Sequence, residues 1–460
     1  VVRQYFQDLL IEVEEQTGVR DMKRLGLIAA ALVLSSSPGQ AQPNEPTVRT
    51  QRIDCPASTG RGTRCVSGQD ETGAWFVAAV PANWNRRLIV HSHGGPRTGT
   101  PEAADELEDL DRFSVMVRHG YAWIGSTYRR GGYGVRMAAE DTDNARKIFW
   151  SLYGRPERTL LHGQSWGGNV AAKASELYAG NAEDGWNYDG VLITNGIVSG
   201  GTRAYGFRAD LRAVYQFYCG NHPAPNEPVY PVWQGLPLDS RMTRADLRRR
   251  IETCTGVDKA ADRRTPEQAA KLRDILAVIG IEEAELVSHM NWATFLFQDM
   301  VMRRLDGRNP FDNSQTLYTG SSDDAALNAG VERFAADPEG VAMLAHDADL
   351  TGQIVRPTLT LHALHDPTVS YDVEAIYTAT VAAAGRSQWL VQVATDEADH
   401  SKLSDASYMT ALDALEAWID EGRAPRPSAF QSRCEALWSE LGACLFVMRQ
   451  EQDEPATREN

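Results

Sequence analysis

The stretch Leu160-Leu161-His162-Gly163-Gln164-Ser165-Trp166-Gly167-Gly168 carries a short apolar segment straight into G-x-S-x-G, and NVAAKASELY, residues 169–178, follows at once. A buried strand over 158–162 and a close-packed helix over 169–178 are predicted, because the first run is apolar and the second rich in small residues. Strand, G-x-S-x-G and helix in that order predict a nucleophile elbow. In such a turn the serine is held in strained backbone geometry with its hydroxyl presented, and flanking glycines are required because no side chain fits. Ser165 is therefore the expected nucleophile.

Working outward, further short apolar runs predict strands at 75–80, 87–91, 122–127, 159–162, 191–194, 358–361 and 389–393. Helix-like stretches separate them, among them an amphipathic one at 403–419 with Met409, Leu412, Leu415 and Trp418 on one side. Such alternation predicts an α/β fold, a mostly parallel sheet flanked by helices, with its reactive loops at the carboxyl ends of the strands. One gap breaks the spacing: about 160 residues lie between Asn195 and Pro357, far more than a connection needs. Helical patterns at 243–253 and 266–279, with a proline-rich stretch at 221–237 before them, predict a large helical lid inserted before the strand that carries the acid. Its aromatics, Tyr205, Phe207, Tyr215, Phe217, Tyr218, Tyr230, Trp233, Trp292 and Phe295, are expected mostly to form the lid's own core, with some lining a pocket for a bulky or aromatic substrate.

A serine hydroxyl needs a histidine to take its proton and a carboxylate to orient that histidine. For this strand arrangement the chain order is serine, acid, histidine. His400, in the loop after the last strand, is the expected base. Asp366, just past the strand at 358–361, is the expected acid, with Asp372, Asp396 and Glu397 in reserve. The oxyanion needs backbone donors. Trp166 N–H is one, and the glycine-rich loop His91-Ser92-His93-Gly94-Gly95-Pro96 offers Gly94 or Gly95 as the other. His91 and His93 are not expected to bind metal, since no ligand cluster follows them. The segment 129–134 (RRGGYG) lacks the Lys-Ser/Thr of a phosphate loop and is expected to be a flexible basic loop near the mouth of the site.

The formal net charge of −16 over 460 residues excludes the basic surface that nucleic-acid binding requires. Met22-Lys23-Arg24, the apolar run 25–34 and small residues Gly39 and Ala41 have the layout of a secretory signal peptide over 22–41, so export to the periplasm or medium is expected. Residues 1–21 then read as a non-native upstream extension. No other run approaches a membrane span, so none is expected in the mature protein. Six cysteines behind a signal peptide read as disulfides, with nearest-neighbour pairing Cys55–Cys65, Cys219–Cys254 and Cys434–Cys444 as the leading choice of fifteen. The expected organisation is a core split into 42–199 and 351–424, the lid at 200–350, and a disulfide segment with a disordered polar tail at 425–460. Nothing in the sequence speaks to oligomeric state.

With PANWNRRLIVHSHGGP, GQSWGG, HDPTV and ADHSKL in view, the chain resembles the α/β-hydrolase superfamily over roughly 75–420, most nearly secreted bacterial esterases and prolyl-oligopeptidase-like proteins. That resemblance implies catalytic roles for Ser165, Asp366 and His400, no cofactor, and a small-molecule or oligomeric ester as substrate. HGGP and GQSWGG also resemble prolyl aminopeptidases, which implies a peptidase or amidase as the alternative. Those enzymes continue HGGPG where Arg97 stands here, and carry a lid Trp-Glu pair that this sequence lacks; Glu282, Glu283 and Glu285 are the available substitutes. A noncatalytic binding protein on a hydrolase scaffold is the alternative of another class.

Overall fold

The computed structural model describes residues 48–447; the extension 1–21, the signal sequence 22–41 and the tail 451–460 lie outside the described residues. Ten strands form one sheet: β1 (Thr50–Ile53), β2 (Arg64–Gln69), β3 (Trp75–Val80), β4 (Arg87–Ser92), β5 (Ala122–Ser126), β6 (Arg158–Gln164), β7 (Gly190–Thr194), β8 (Thr358–Ala363), β9 (Leu390–Thr395) and β10 (Phe446–Val447). Their order across the sheet is β1-β2-β3-β5-β4-β6-β7-β8-β9-β10. The six from β5 to β9 run parallel, and the antiparallel pairings lie at the two edges.

The apolar runs become strands because both faces of the sheet are covered, so every position of β5, β7 and β8 is buried and all but the first of β3, β4 and β6. The pleat sorts neighbours between two cores. Leu88, Val90, Leu161, Val191 and Ile193 enter one, and Ile89, Leu160, Leu192, Leu359 and Leu361 enter the other. Flanking helices include α1 (Ala103–Arg112), α2 (Val135–Tyr153), α3 (Trp166–Tyr178), α4 (Gly206–Cys219), α5 (Arg244–Thr255), α6 (Pro266–Ile279), α7 (Val373–Ala383) and α8 (Asp405–Glu421). Thr243 and Thr265 cap α5 and α6, each accepting from the N–H three residues on. Parallel register sets Ser92 beside Gly163, Gln164 beside Thr194, and Ala363 beside Thr395, so the loops after β4, β6, β7, β8 and β9 open on one edge. This is an α/β-hydrolase architecture.

Between β7 and β8 the chain is largely helical. Its buried residues Tyr205, Leu211, Val214 and Ile275 belong to the same apolar cluster as Val90 and Leu161 of the sheet, so the insertion shares a core with it. Sulfur bridges join Cys55 to Cys65, Cys219 to Cys254, and Cys434 to Cys444. Among the described residues no helix is long and apolar enough to cross a membrane.

Candidate active site

β6 and α3 meet at Ser165, whose backbone stands at φ 59°, ψ −127°. A non-glycine residue there carries of order 1–3 kcal/mol of strain and persists only when its surroundings over-determine it. They do so here. Ser165 N–H donates to Thr194 O at 3.0 Å, and Ser165 O accepts from Gly168 N–H at 2.9 Å and Ile197 N–H at 3.0 Å. The glycines are obligatory by contact: a Cβ on Gly163 would lie 2.2 Å from Gly167 O, and one on Gly167 would lie 2.1 Å from Ser92 O.

His400 closes on this serine from the loop after β9, with Nε2 2.7 Å from Ser165 Oγ. Its Nδ1 is 2.7 Å from Asp366 Oδ2, in the turn after β8. Asp366 Oδ1 accepts from the N–H groups of Thr368 at 2.8 Å and Val369 at 3.0 Å. With the Nδ1 proton donated to Asp366, the lone pair on Nε2 faces the serine hydroxyl, the tautomer a general base requires. The reserve acids are engaged elsewhere: Asp372 with Ser370, Asp396 with His365, and Glu397 with Ser404 and Ser407.

Two positioning residues went unread in the sequence. Gln164 Nε2 donates to His400 O at 2.7 Å. Asn195, buried at the end of β7, donates from Nδ2 to Asp399 O and His400 O, each at 3.0 Å, while its Oδ1 accepts from Ala363 N–H at 2.8 Å. One side chain thus ties the loop bearing the histidine to the strand bearing the acid. An asparagine before glycine reads locally as a turn, and only the pairing of β7 with β8 reveals the clamp.

The two elements expected to carry the oxyanion donors, the start of α3 and the loop after β4, meet at Ser165. Trp166 is the first residue of α3, so its N–H has no acceptor within the helix. Gly94 packs directly on the elbow, since a Cβ there would lie 3.3 Å from Ser165 Cβ and 2.5 Å from Gln164 Oε1. Gly95, at φ 64°, faces open space. His93 stacks on Tyr128 at 4.2 Å, its Nδ1 3.0 Å from Gly94 O. Burial, aided by the Arg97 charge, lowers its pKa to about 4, so it is neutral at pH 7.

Segment 129–134, expected as a flexible basic loop, is tied by ion pairs and hydrogen bonds to its neighbours. Arg129 pairs with Asp141 and Glu140, Tyr133 N–H donates to Asp299 at 2.6 Å, and Gly132 N–H donates to Arg97 O at 2.7 Å. Buried carboxylates hold it against the insertion, which its local composition does not disclose.

Two cavities reach the elbow's surroundings. One, of about 260 Å³, is lined by Gly94, Gly95, Arg97, Arg244, Trp292 and Phe295. The second, of about 370 Å³, reaches Asp366 and is lined by Glu282, Glu285, His289 and Asp372 among others. Glu283 turns away to Arg264. Of the insertion's aromatics, Tyr205 and Tyr215 are core, Trp292 and Phe295 wall the first cavity, and the buried Phe207 lines the second. A further cavity, of about 840 Å³, lies within the insertion between residues 221–242 and α5, and none of Ser165, Asp366 and His400 lines it.

No protein-family model matches the chain, and no curated protein sequence is similar to it. Among solved structures it is similar to an esterase from Aspergillus oryzae, at 14% identity over 83% of this chain and 88% of that one, TM-score 0.47. Candida antarctica lipase A in its closed state aligns at 11% identity over 82% of each chain, TM-score 0.43. A ligand-bound rice cell wall degrading esterase from Xanthomonas oryzae aligns at 14% identity over 81% of this chain and 97% of that one, TM-score 0.40.

Proposed function

We propose that this protein is an exported serine hydrolase that cleaves carboxylic esters through an acyl-enzyme, with Ser165 as nucleophile, His400 as base and Asp366 as its orienting acid. The observation that carries this is the unbroken hydrogen-bonded line from Ser165 Oγ through both His400 nitrogens to Asp366, both links 2.7 Å. As Oγ attacks the ester carbonyl carbon, Nε2 takes the hydroxyl proton and Asp366 stabilises the imidazolium. The oxyanion is received by Trp166 N–H and an N–H of the Gly94–Gly95 loop. The proton then passes to the leaving alkoxide, and water repeats the sequence to release the acid.

The insertion acts as the lid, and an aromatic arm of the ester lies between the Gly94–Gly95 loop and Trp292 with Phe295, a cavity large enough for one substituted ring. Export is supported by the sequence at 22–41 and by three disulfides, which persist in oxidising compartments. A second reading, a peptidase or amidase, is favoured by Glu282, Glu285 and Asp372 around the other cavity, a setting suited to a substrate ammonium group.

A fluorophosphonate is expected to label Ser165, with the adduct mapped by peptide mass, and Ser165→Ala is expected to abolish turnover. Retained activity in that variant refutes the assignment. A panel of p-nitrophenyl esters beside alanine and proline arylamides decides between the readings: faster arylamide cleavage overturns the esterase in favour of the peptidase.

A further inference from the structure

Behind Asp366 lies a buried histidine that the three-residue relay does not use. His362, on β8, is fully buried, and both ring nitrogens face acceptors. Nε2 is 3.0 Å from Val369 O, which can only accept, and 3.7 Å from Asp366 Oδ2, the oxygen that also meets His400. Nδ1 is 2.9 Å from Glu374 Oε1, on α7. The Val369 contact requires a proton on Nε2. A lone pair on Nδ1 facing a carboxylate at 2.9 Å would be repulsive, so a second proton lies between His362 and Glu374. The other oxygen of Glu374 accepts from Thr360 Oγ1 at 2.6 Å and Gln392 Nε2 at 2.5 Å, the environment of an ionised carboxylate. The proton therefore resides on the imidazole.

We propose that His362 is a positioning residue, an imidazolium held by Glu374 whose charge acts on the Asp366 oxygen that meets His400 and so biases the relay toward an unprotonated His400. This rests on the assignment of Ser165, His400 and Asp366 given above. Burial opposes the charged imidazole, but the Glu374 hydrogen bond and the charges of Glu374 and Asp366 outweigh it, and the His362 pKa is raised. The other charged groups facing this line are Arg208, from α4, which donates to Thr368 O at 3.1 Å and acts electrostatically on Asp366, and Glu285, which also acts on Asp366. His289, which accepts from Arg208 Nε at 3.2 Å and acts electrostatically on His400, also faces this line, as do Gln392 from β9 and the edge-on ring of Tyr371 at 5.7 Å.

A positive charge beside Asp366 disfavours a second positive charge on His400, so removing it extends protonation of the base to higher pH. In His362→Gln the acid limb of the fluorophosphonate labelling rate is expected to move up by about one pH unit. Glu374→Gln, which takes away the partner that keeps His362 charged, is expected to move it the same way. The double variant is expected to move it no further than His362→Gln alone. A uniform loss of rate with an unmoved limb assigns His362 a merely structural role and overturns the proposal. Nitrogen-15 NMR of the unsubstituted chain tests the charge whether or not the variants fold and whether or not any ester is turned over. Two protonated nitrogens on His362 at pH 7 support the proposal, and a neutral ring refutes it. If Ser165 is not labelled at any pH, it is the catalytic assignment that fails.

Discussion

Replacing Asn195 with alanine isolates the clamp between the two halves of the relay. The change deletes the bonds to Asp399 O, His400 O and Ala363 N–H. His400 O keeps Gln164, so two groups, Asp399 O and Ala363 N–H, lose the side-chain partner that Asn195 supplies. Asp399 is exposed, so water can replace the bond to its carbonyl, whereas leaving the buried Ala363 N–H unsatisfied costs about 1–3 kcal/mol. Asn195 also stands at φ 45°, where alanine is disfavoured relative to asparagine by about 1 kcal/mol. The expected loss is about 3 kcal/mol, read as a lower urea midpoint with an unchanged slope. At 25 °C and without urea the variant remains folded if the parent has the 5–15 kcal/mol usual for a domain. Its ester turnover is nonetheless expected to fall about 100-fold with KM little changed, because a displacement of His400 by about 1 Å spoils the proton-transfer geometry. Asn195→Asp, which keeps the acceptor for Ala363 but sets a carboxylate oxygen against two carbonyl oxygens, is expected to do at least as much damage at pH 8. An Asn195→Ala protein with the parent's urea midpoint and labelling rate would refute the clamp.

Gly167→Ala is expected to prevent accumulation of folded protein, its Cβ falling 2.1 Å from Ser92 O, whereas Gly95→Ala, with open space at its Cβ, is expected to cost only the roughly 1–2 kcal/mol of its positive φ; equal expression and melting temperatures would contradict this. His93 sets a pH dependence: its folded pKa of about 4 lies below the ordinary 6.5, so the unfolded chain binds the extra proton and stability falls as pH drops from 6.5 towards 4, by about 3 kcal/mol. His93→Phe removes that contribution, and its urea-derived stability is expected to gain on the parent by that amount between pH 7 and pH 4; parallel curves would exclude it. Replacing both Cys219 and Cys254 by serine is expected to cost about 4 kcal/mol against about 3 for Cys55 with Cys65, since the closed loops span 35 and 10 residues; the reverse order of urea midpoints would show that chain entropy does not govern these bridges.

Much of the parallel sheet was legible from local sequence. The segment expected at 75–80 is β3 itself, and those at 87–91 and 358–361 lie within β4 and β8, because strands buried on both faces are written as continuous apolar runs. The edge strands were not. β2 reads RCVSGQ and β1 reads TQRI, polar enough to pass for loop, and they are strands because β3 supplies unpaired backbone groups to β2, and β2 in turn to β1. The helix expected at 403–419 begins at Asp405, since Ser404 caps it by accepting from Ser407 N–H. Within the insertion, α6 was readable from Pro266 to its last residue, yet which aromatics face a cavity was not, because a helix's inward face depends on what packs against it.

The serine, its strained turn and the order of acid and histidine along the chain follow from local residue chemistry: two glycines where no side chain fits, a carboxylate after one strand and a histidine after the next. Sequence alone carries this because an elbow is a property of adjacent residues. That Gln164 and Asn195 grip the carbonyl of His400 and that Gly94 rather than Gly95 packs on the elbow were decided only by the tertiary structure. Each depends on residues far apart in the chain being set side by side by the register of parallel strands, an arrangement governed by packing of the whole sheet and encoded in no single segment.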